Sequence, residues 1–191
     1  LKARRGSKVK PFTVMSCDNL PGNGHVTRAA VVGLARLADP DLADWIEANV
    51  AFPNGMVDRI TPATGPRERQ MAAAFGLADD PVPVTCEPFR QWVLEDTFPA
   101  GRPALEKLGV TFSDKVHAFE LMKLRILNGG HAIIAYPGGL MDIEFVHEAM
   151  ADPLIAGFLA KVEREEILPI VPPVPGTDLG DYYAKIVDRF S

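Results

Sequence analysis

Residues 122–136 read Met-Lys-Leu-Arg-Ile-Leu-Asn-Gly-Gly-His-Ala-Ile-Ile-Ala-Tyr, an apolar segment that contains three polar side chains of interest. Burying a polar group without a partner is costly, so Lys123, Asn128 and His131 are unusual in this setting. In an α-helix each residue turns about 100°, which puts Asn128 about 140° and His131 about 80° round from Lys123. The three side chains can then face one pocket. There, desolvation would lower the pKa of a lysine and suit it to act as a general base.

The same residues also have purely structural interpretations. A lone lysine near a helix surface is usually solvated, and a lone histidine is usually a structural residue. Asn128 stands before Gly129-Gly130 and could end a helix, because Asn and Gly favour C-caps. Spacing alone leaves both interpretations open.

Outward from this segment, the character of the chain changes near residues 110–115. On the C-terminal side the apolar periodicity predicts helices at residues 117–136, 143–150, 153–167 and 179–190. On the N-terminal side it predicts helices at residues 25–37, 42–49 and 66–75, and strands at residues 12–15, 56–61, 82–86, 91–95 and 110–112. We therefore expect an α+β fold whose two domains span residues 1–112 and 113–191.

Two of these elements carry local signals at their ends. Asp39 and Pro40 are typical of the N-cap and first turn of the helix predicted at residues 42–49. Pro81, Pro83 and Pro88 predict that the strand at residues 82–86 is an edge strand or is irregular, since proline cannot donate to a sheet ladder.

Composition excludes several classes of function. The 191 residues have a net charge of −5, 47% hydrophobic and 24% charged residues, which is typical of a globular protein without a nucleic-acid footprint. No run of about 18 apolar residues predicts a membrane span, and no signal peptide is expected. Cys17 and Cys86 are far apart, so we expect reduced thiols and a cytoplasmic protein. The histidines are scattered and form no metal-ligand motif: His25, His117, His131 and His147.

Several segments together resemble one family. They are the Lys–four residues–Asn–two residues–His pattern of residues 123–131, Ser16-Cys-Asp-Asn-Leu-Pro-Gly-Asn-Gly24, Phe52-Pro-Asn-Gly-Met-Val-Asp-Arg-Ile-Thr-Pro62, Cys86-Glu-Pro-Phe-Arg-Gln-Trp-Val-Leu-Glu-Asp96 and Gly101-Arg-Pro103. In this order they resemble the long-chain polyol-specific dehydrogenases, which include mannitol 2-dehydrogenases and, as relatives, fructuronate and tagaturonate reductases. Because the segments span nearly the whole chain, the resemblance is specific.

The resemblance implies a catalytic site for interconverting a secondary alcohol and a ketone with a nicotinamide cofactor. Lys123 matches the family's general acid/base. Asn19 and Asn128 match two asparagines whose amides would stabilise the developing oxyanion. His131 matches a residue that orients the substrate.

Two acidic residues complete the implied site, and each has an alternative interpretation. Asp58 matches a residue at the substrate site, but beside Arg59 it could be a surface charge. Glu120 matches a residue on a proton path near the lysine. Because it is three residues before Lys123, it could equally be that residue's ordinary partner on a helix surface.

The family's architecture implies the end of a Rossmann-type cofactor domain with short extra strands, followed by a mainly α-helical substrate domain. The expected cofactor is NAD, with NADP not excluded, and no metal is expected. No Gly-x-Gly-x-x-Gly fingerprint is present, and the nearest pattern, Pro21-Gly-Asn-Gly24, lacks the third glycine. We therefore expect the cofactor-binding residues, and the remainder of the dehydrogenase chain, to lie outside this segment. The 191 residues alone should be inactive.

The substrate remains open at this point. The mannitol/fructose type of polyol and ketose is expected. A hexuronate would need a cation for its carboxylate, for which Arg90, Arg102 and Arg125 are available. A catalytically silent module and a Schiff-base lyase that uses Lys123 are further alternatives, although the lyase does not explain the paired asparagines.

Overall fold

A change from mixed to helical structure divides the chain into two units. The computed structural model describes every residue from Leu1 to Ser191, and the units are Leu1–Asp114 and Lys115–Ser191. All three strands lie in the first unit and the second is helical. The predicted α+β architecture is confirmed.

Four helices belong to the first unit: α1 (Lys2–Gly6), α2 (Asn23–Ala38), α3 (Pro40–Asn49) and α4 (Pro66–Ala74). The predicted start of α3 is confirmed, because Asp39 Oδ1 accepts a hydrogen bond of 3.0 Å from the backbone N–H of Leu42 and Pro40 lies in the first turn. The core shared by α2, α3 and the segment after them is formed by Val32, Leu42, Ala43, Ile46, Val50 and Phe52.

The sheet of the first unit has three short strands in the order β1 (Gly55–Asp58), β2 (Gln91–Leu94) and β3 (Thr111–Phe112). β1 and β2 are antiparallel and place Asp58 opposite Gln91, while β2 and β3 are parallel. A 3₁₀ turn, Leu105–Leu108, precedes β3. The predictions at residues 56–61, 91–95 and 110–112 are therefore confirmed in type, but each strand is shorter than predicted.

Two predicted strands are wrong. Residues 12–15 form no strand, and their backbone contact outside the segment is a hydrogen bond of 3.0 Å from the N–H of Val14 to the carbonyl of Ala51. An apolar run becomes a strand only when a ladder of such bonds is available. Residues 82–86 also lie outside the sheet, where Pro81 and Pro83 remove the donors a ladder needs.

The second unit is helical, and two of its helices continue into π-helical segments. α5 (Val116–Met122) continues through a π-helical segment (Lys123–Asn128) into α6 (Gly129–Leu140). α7 spans Val146–Ala151. α8 (Pro153–Val162) continues as a second π-helical segment (Glu163–Ile167) and a 3₁₀ turn (Leu168–Ile170), and α9 spans Leu179–Phe190. The core side chains are Phe119, Met122, Ile126, Ile134, Ile155, Leu159 and Ile186, each at most 3% exposed.

The four predicted helices of this unit are confirmed, with two differences. The helix predicted at residues 143–150 starts three residues later, because Phe145 is extended (φ −107°, ψ 145°) and so precedes the first helical residue. The helix predicted at residues 117–136 is not interrupted at Gly129-Gly130; its irregular part is the π-helical segment before them.

Candidate active site

The apolar segment that contains Lys123, Asn128 and His131 includes the π-helical segment Lys123–Asn128. A π-helix closes its hydrogen bonds from i to i+5, so each residue turns roughly 80–85° instead of 100°. Asn128 then lies roughly 60° from Lys123 rather than 140°, and His131 lies within roughly 20° of its azimuth rather than 80°. The widened turn therefore aligns the three side chains more closely than a regular helix would.

Lys123 is the first residue of that segment and is only 7% exposed. Its neighbours along the buried face are Met122, Ile126 and Leu127, each at most 4% exposed. Lysine is almost never buried to this degree unless its charge is paired, so Lys123 is not a freely solvated side chain. The interpretation of Lys123 as an ordinary solvated helix residue is therefore wrong.

Asn128 and His131 are more accessible than Lys123. Asn128 is exposed and has helical dihedral angles (φ −71°, ψ −38°), so the alternative that it ends the helix is wrong. His131 is half-buried, and its ring centroid lies 4.4 Å from that of Phe190 at an angle of 58°. The last residue of α9 thus supports one side of the imidazole.

Glu120 lies one turn before Lys123. Its side chain is 11% exposed, and Oε2 is 3.3 Å from Nδ1 of His117, whose side chain is 75% exposed. Glu120 therefore lies between the buried face of the helix and the solvent-exposed imidazole of His117.

A buried acid that sequence reasoning missed lies behind this segment. Glu163 is 0% exposed, and neither of its carboxylate oxygens has a hydrogen-bond partner. Desolvation raises its pKa to about 7. The signal was present, because Ile155, Leu159 and Glu163 follow one another at the four-residue spacing of a buried helix face.

Gly130 explains how the segment approaches this acid. A Cβ added to Gly130 would lie 3.1 Å from Cε2 of Phe190 and 3.3 Å from Oε1 of Glu163. A methyl group at this position would require these neighbours to shift by a few tenths of an ångström, so glycine suits the close packing of α6 on both.

The first unit contains the two remaining predicted residues. Asn19 is exposed in the turn between the extended N-terminal segment and α2. Asp58 ends β1 and is 6% exposed, whereas Arg59 is exposed and donates its Nε–H to the carbonyl of Glu87 at 2.9 Å. The interpretation of Asp58 as a surface charge is therefore wrong.

The turn that resembles a cofactor fingerprint does not suit a pyrophosphate. Gly22 precedes α2 with φ +61°, and the helix follows directly, as in a phosphate-binding turn. However, the N–H groups of Gly24 and His25 both donate to Oδ1 of Asn54, at 3.0 and 3.2 Å. The donors that would bind an anion are thus already in use.

Arg102, one of the three arginines that could bind a uronate carboxylate, already binds two carboxylates of the chain itself. Its Nε and Nη2 donate to the two carboxylate oxygens of Asp96 at 2.7 and 2.8 Å, and Nη1 donates to Glu106 at 2.7 Å. The guanidinium also lies 3.5 Å from the ring centroid of Phe112. Two carboxylates already compensate this charge.

The other two arginines differ from it. Arg125 donates from Nη1 to the carbonyl of Ile170, and Arg90 is exposed.

No group of three His, Cys, Asp or Glu side chains is arranged to hold a metal ion. Both cysteines are exposed and form no disulfide. No helix has the length and apolar character needed to span a bilayer.

Comparison with known proteins covers both units. Residues 1–107 match the sequence model of the mannitol dehydrogenase Rossmann domain, and residues 115–191 match that of the mannitol dehydrogenase C-terminal domain. Mannitol 2-dehydrogenase of Cereibacter sphaeroides is 74% identical over 191 residues, which are 100% of this chain and 40% of that protein. Mannitol 2-dehydrogenase of Aspergillus fumigatus is 47% identical over 195 residues, with 100% and 39% covered.

Two solved structures have the same fold. The structure of Pseudomonas fluorescens mannitol 2-dehydrogenase in a ternary complex with NAD and D-mannitol is 50% identical to this chain, with a TM-score of 0.86. The match covers 99% of this chain and 38% of the Pseudomonas chain. D-sorbitol dehydrogenase in substrate-free form is 44% identical with a TM-score of 0.92, with 99% and 39% covered. The chain thus spans about two fifths of the length of the relatives that it matches.

Proposed function

The chain belongs to the mannitol dehydrogenase family, and from that premise we propose that it forms the central part of an NAD-dependent polyol dehydrogenase that interconverts a secondary alcohol and a ketose. The observation that carries the proposal is the burial of Lys123 at the start of a π-helical segment, with His131 on nearly the same azimuth. π-helical turns occur frequently at functional sites.

The proposed chemistry assigns a role to each predicted residue. Lys123 takes the hydroxyl proton as the alcohol is oxidised and returns it in the reverse direction. The amides of Asn19 and Asn128 donate hydrogen bonds to the oxygen as negative charge develops on it, and His131 orients the substrate. Asp58 binds a substrate hydroxyl. Glu120, which contacts the exposed His117, exchanges protons between Lys123 and solvent.

The proposed reaction needs no metal, because a buried lysine can itself act as acid and base towards a hydroxyl. The nicotinamide cofactor, when bound, accepts the hydride. No residue of this chain is assigned to its pyrophosphate, since Asn54 occupies the N–H groups of Gly24 and His25. NAD is favoured by the solved relative that binds NAD and D-mannitol. NADP, and a cytoplasmic location, stay predictions.

A polyol is favoured over a hexuronate. Arg102, one of three cations considered for a uronate carboxylate, is bound bidentately by Asp96 and contacts Glu106 as well. Arg102 would have to break its bidentate hydrogen bonds to Asp96 before it could bind a substrate carboxylate in the same way. Rates of mannitol, arabinitol and sorbitol oxidation, compared with fructuronate reduction, distinguish the two substrates.

The function is tested by replacing the general base in the complete protein. Lys123→Ala should lower kcat for mannitol oxidation by about 10²–10⁴-fold, because proton transfer then falls to water. Lys161→Ala, an exposed lysine of α8, serves as the control and should retain normal turnover. Near-normal rates in Lys123→Ala would defeat the general-base assignment, and borohydride trapping of a sugar on Lys123 would favour a lyase.

A further inference from the structure

Two Asn-Gly pairs of the first unit bind each other reciprocally. Asn23-Gly24 begins α2, and Asn54 immediately precedes Gly55, the first residue of β1. Oδ1 of Asn23 accepts from the N–H of Gly55 at 2.8 Å, and Oδ1 of Asn54 accepts from the N–H of Gly24 at 3.0 Å. We call these four residues the asparagine clasp.

The clasp is buried and tightly packed. Asn23 is 1% exposed and Asn54 is 7% exposed. A Cβ on Gly24 would lie 2.5 Å from the carbonyl oxygen of Phe52 and 2.6 Å from the carbonyl carbon of Pro53, closer than atoms can approach. The start of α2 and the turn before β1 therefore meet backbone to backbone.

Asn54 fixes its half of the clasp to two elements. α2 has no side-chain cap of its own, and Oδ1 of Asn54 satisfies two of its first-turn donors, the N–H groups of Gly24 and His25. Glu95 then holds Asn54, because the backbone N–H of Asn54 donates to Oε2 at 2.8 Å and Nδ2 donates to Oε1 at 3.0 Å. This asparagine has a structural role.

Asn23 has a different second partner. Its Nδ2 donates to the carbonyls of Asp18 and Ser16, at 3.1 and 3.4 Å. Asp18 is the residue immediately before Asn19, which is otherwise in an exposed turn. One buried amide thus ties the backbone that carries Asn19 to the first residue of the strand that ends in Asp58.

We propose that Asn23 is a positioning residue for the reaction: it fixes the backbone next to Asn19 so that the amide of Asn19 is preset for the reacting oxygen. The inference rests on the proposed function, in which Asn19 donates to that oxygen. Asn23 does not touch substrate. Preset donors contribute to catalysis because they need not reorganise during the reaction, and displacement of a catalytic group by about 1 Å can cost about 10²-fold in rate.

The substitution Asn23→Asp separates the two functions of this side chain. A carboxylate keeps the size and the acceptor for the N–H of Gly55, but it replaces the donor with an acceptor that repels the carbonyls of Ser16 and Asp18. In the complete protein we expect kcat for mannitol oxidation to fall about 10- to 100-fold, with the KM for NAD unchanged. In an Asn19→Ala background, the same substitution should lower kcat by less than about twofold, because its target is already absent.

Asn49→Asp provides the matched control. Nδ2 of Asn49 also donates to a backbone carbonyl, that of Trp45 at 2.8 Å, at the exposed end of α3, so its loss should not change kcat. A full, additive loss of kcat for Asn23→Asp in both backgrounds would overturn the inference, as would unchanged kcat in the single variant. Should Asn23→Asp not fold, Asn23→Ser enters the same cycle. If Asn19→Ala alone leaves kcat unchanged, the assigned role of Asn19 fails, which is a different outcome from an additive cycle.

Discussion

Glu163 is a single residue in which full burial changes the energetics of charge. Its pKa is raised from the usual 4.5 to about 7 by desolvation, and its oxygens lack hydrogen-bond donors. Between pH 4.5 and 7 the unfolded chain releases this proton while the folded chain retains it. The free energy of unfolding therefore falls as pH rises through that window, and above pH 7 this contribution no longer changes.

The variant Glu163→Gln removes this titration while keeping the shape of a protonated glutamic acid. We expect its thermal midpoint to exceed that of the wild type at pH 8 and the difference to shrink towards pH 5, where the wild-type side chain is neutral in the folded state. Comparing the two proteins at each pH cancels the contributions of all other titrating groups. A difference that stays constant from pH 5 to pH 8 would contradict the assigned pKa.

Glu165→Gln is the control for this prediction. Glu165 is exposed in the same π-helical segment, so the substitution removes the same charge without changing the buried position. Its effect on the free energy of unfolding should stay within about 0.5 kcal/mol.

At the level of elements, α6 contains two glycines that should respond oppositely to alanine. In Gly130→Ala the new methyl meets Phe190 and Glu163, which are 2% and 0% exposed and cannot readily move. We expect a loss of about 1–3 kcal/mol in the free energy of unfolding. Because the ring of Phe190 supports His131, we also expect a raised KM for polyol.

Gly139→Ala is the matched substitution in the same helix. No atom lies within 4 Å of a Cβ built there, so only the helix propensity changes. It should stabilise the protein by up to about 1 kcal/mol and leave the KM for polyol unaltered. Equal destabilisation of both variants would show that α6 is intolerant of alanine in general rather than tightly packed at Gly130.

Helices of this chain were predictable from sequence to a greater degree than its strands. The start of α3 depends on Asp39 and Pro40, which are adjacent to it, and the prediction is confirmed. Residues 12–15 have the composition of a strand, but strand formation depends on distant partners that composition does not reveal. The π-helical segment was likewise not predicted, because residues such as Leu124 and Ile126 suit an i+4 or an i+5 ladder equally and tertiary packing selects between them.

Across the whole molecule, the family was predictable because matching segments occur from Ser16 to His131 in one order, and the family models confirm it. The predicted roles of Lys123, Asn19, Asn128 and His131 stay predictions. The clasp was missed because each Asn-Gly pair on its own indicates only a turn. Their pairing depends on a contact about 30 residues apart in sequence, which only the folded chain reveals.

We expect that these 191 residues on their own do not bind the cofactor. The only turn that resembles a dinucleotide fingerprint lies at the start of α2. The N–H groups of Gly24 and His25 in this turn already donate hydrogen bonds to Oδ1 of Asn54. Releasing them would leave Oδ1 of Asn54 without its two backbone donors in a buried network, at a cost of about 1–3 kcal/mol. We therefore expect fluorescence titration of the isolated chain with NADH to detect no micromolar binding, while a protein that includes the remaining length of its relatives binds. Saturable micromolar binding by the isolated chain would show that these residues contain a nucleotide site. Loss of that binding in Asn54→Asp would then locate the site at the start of α2.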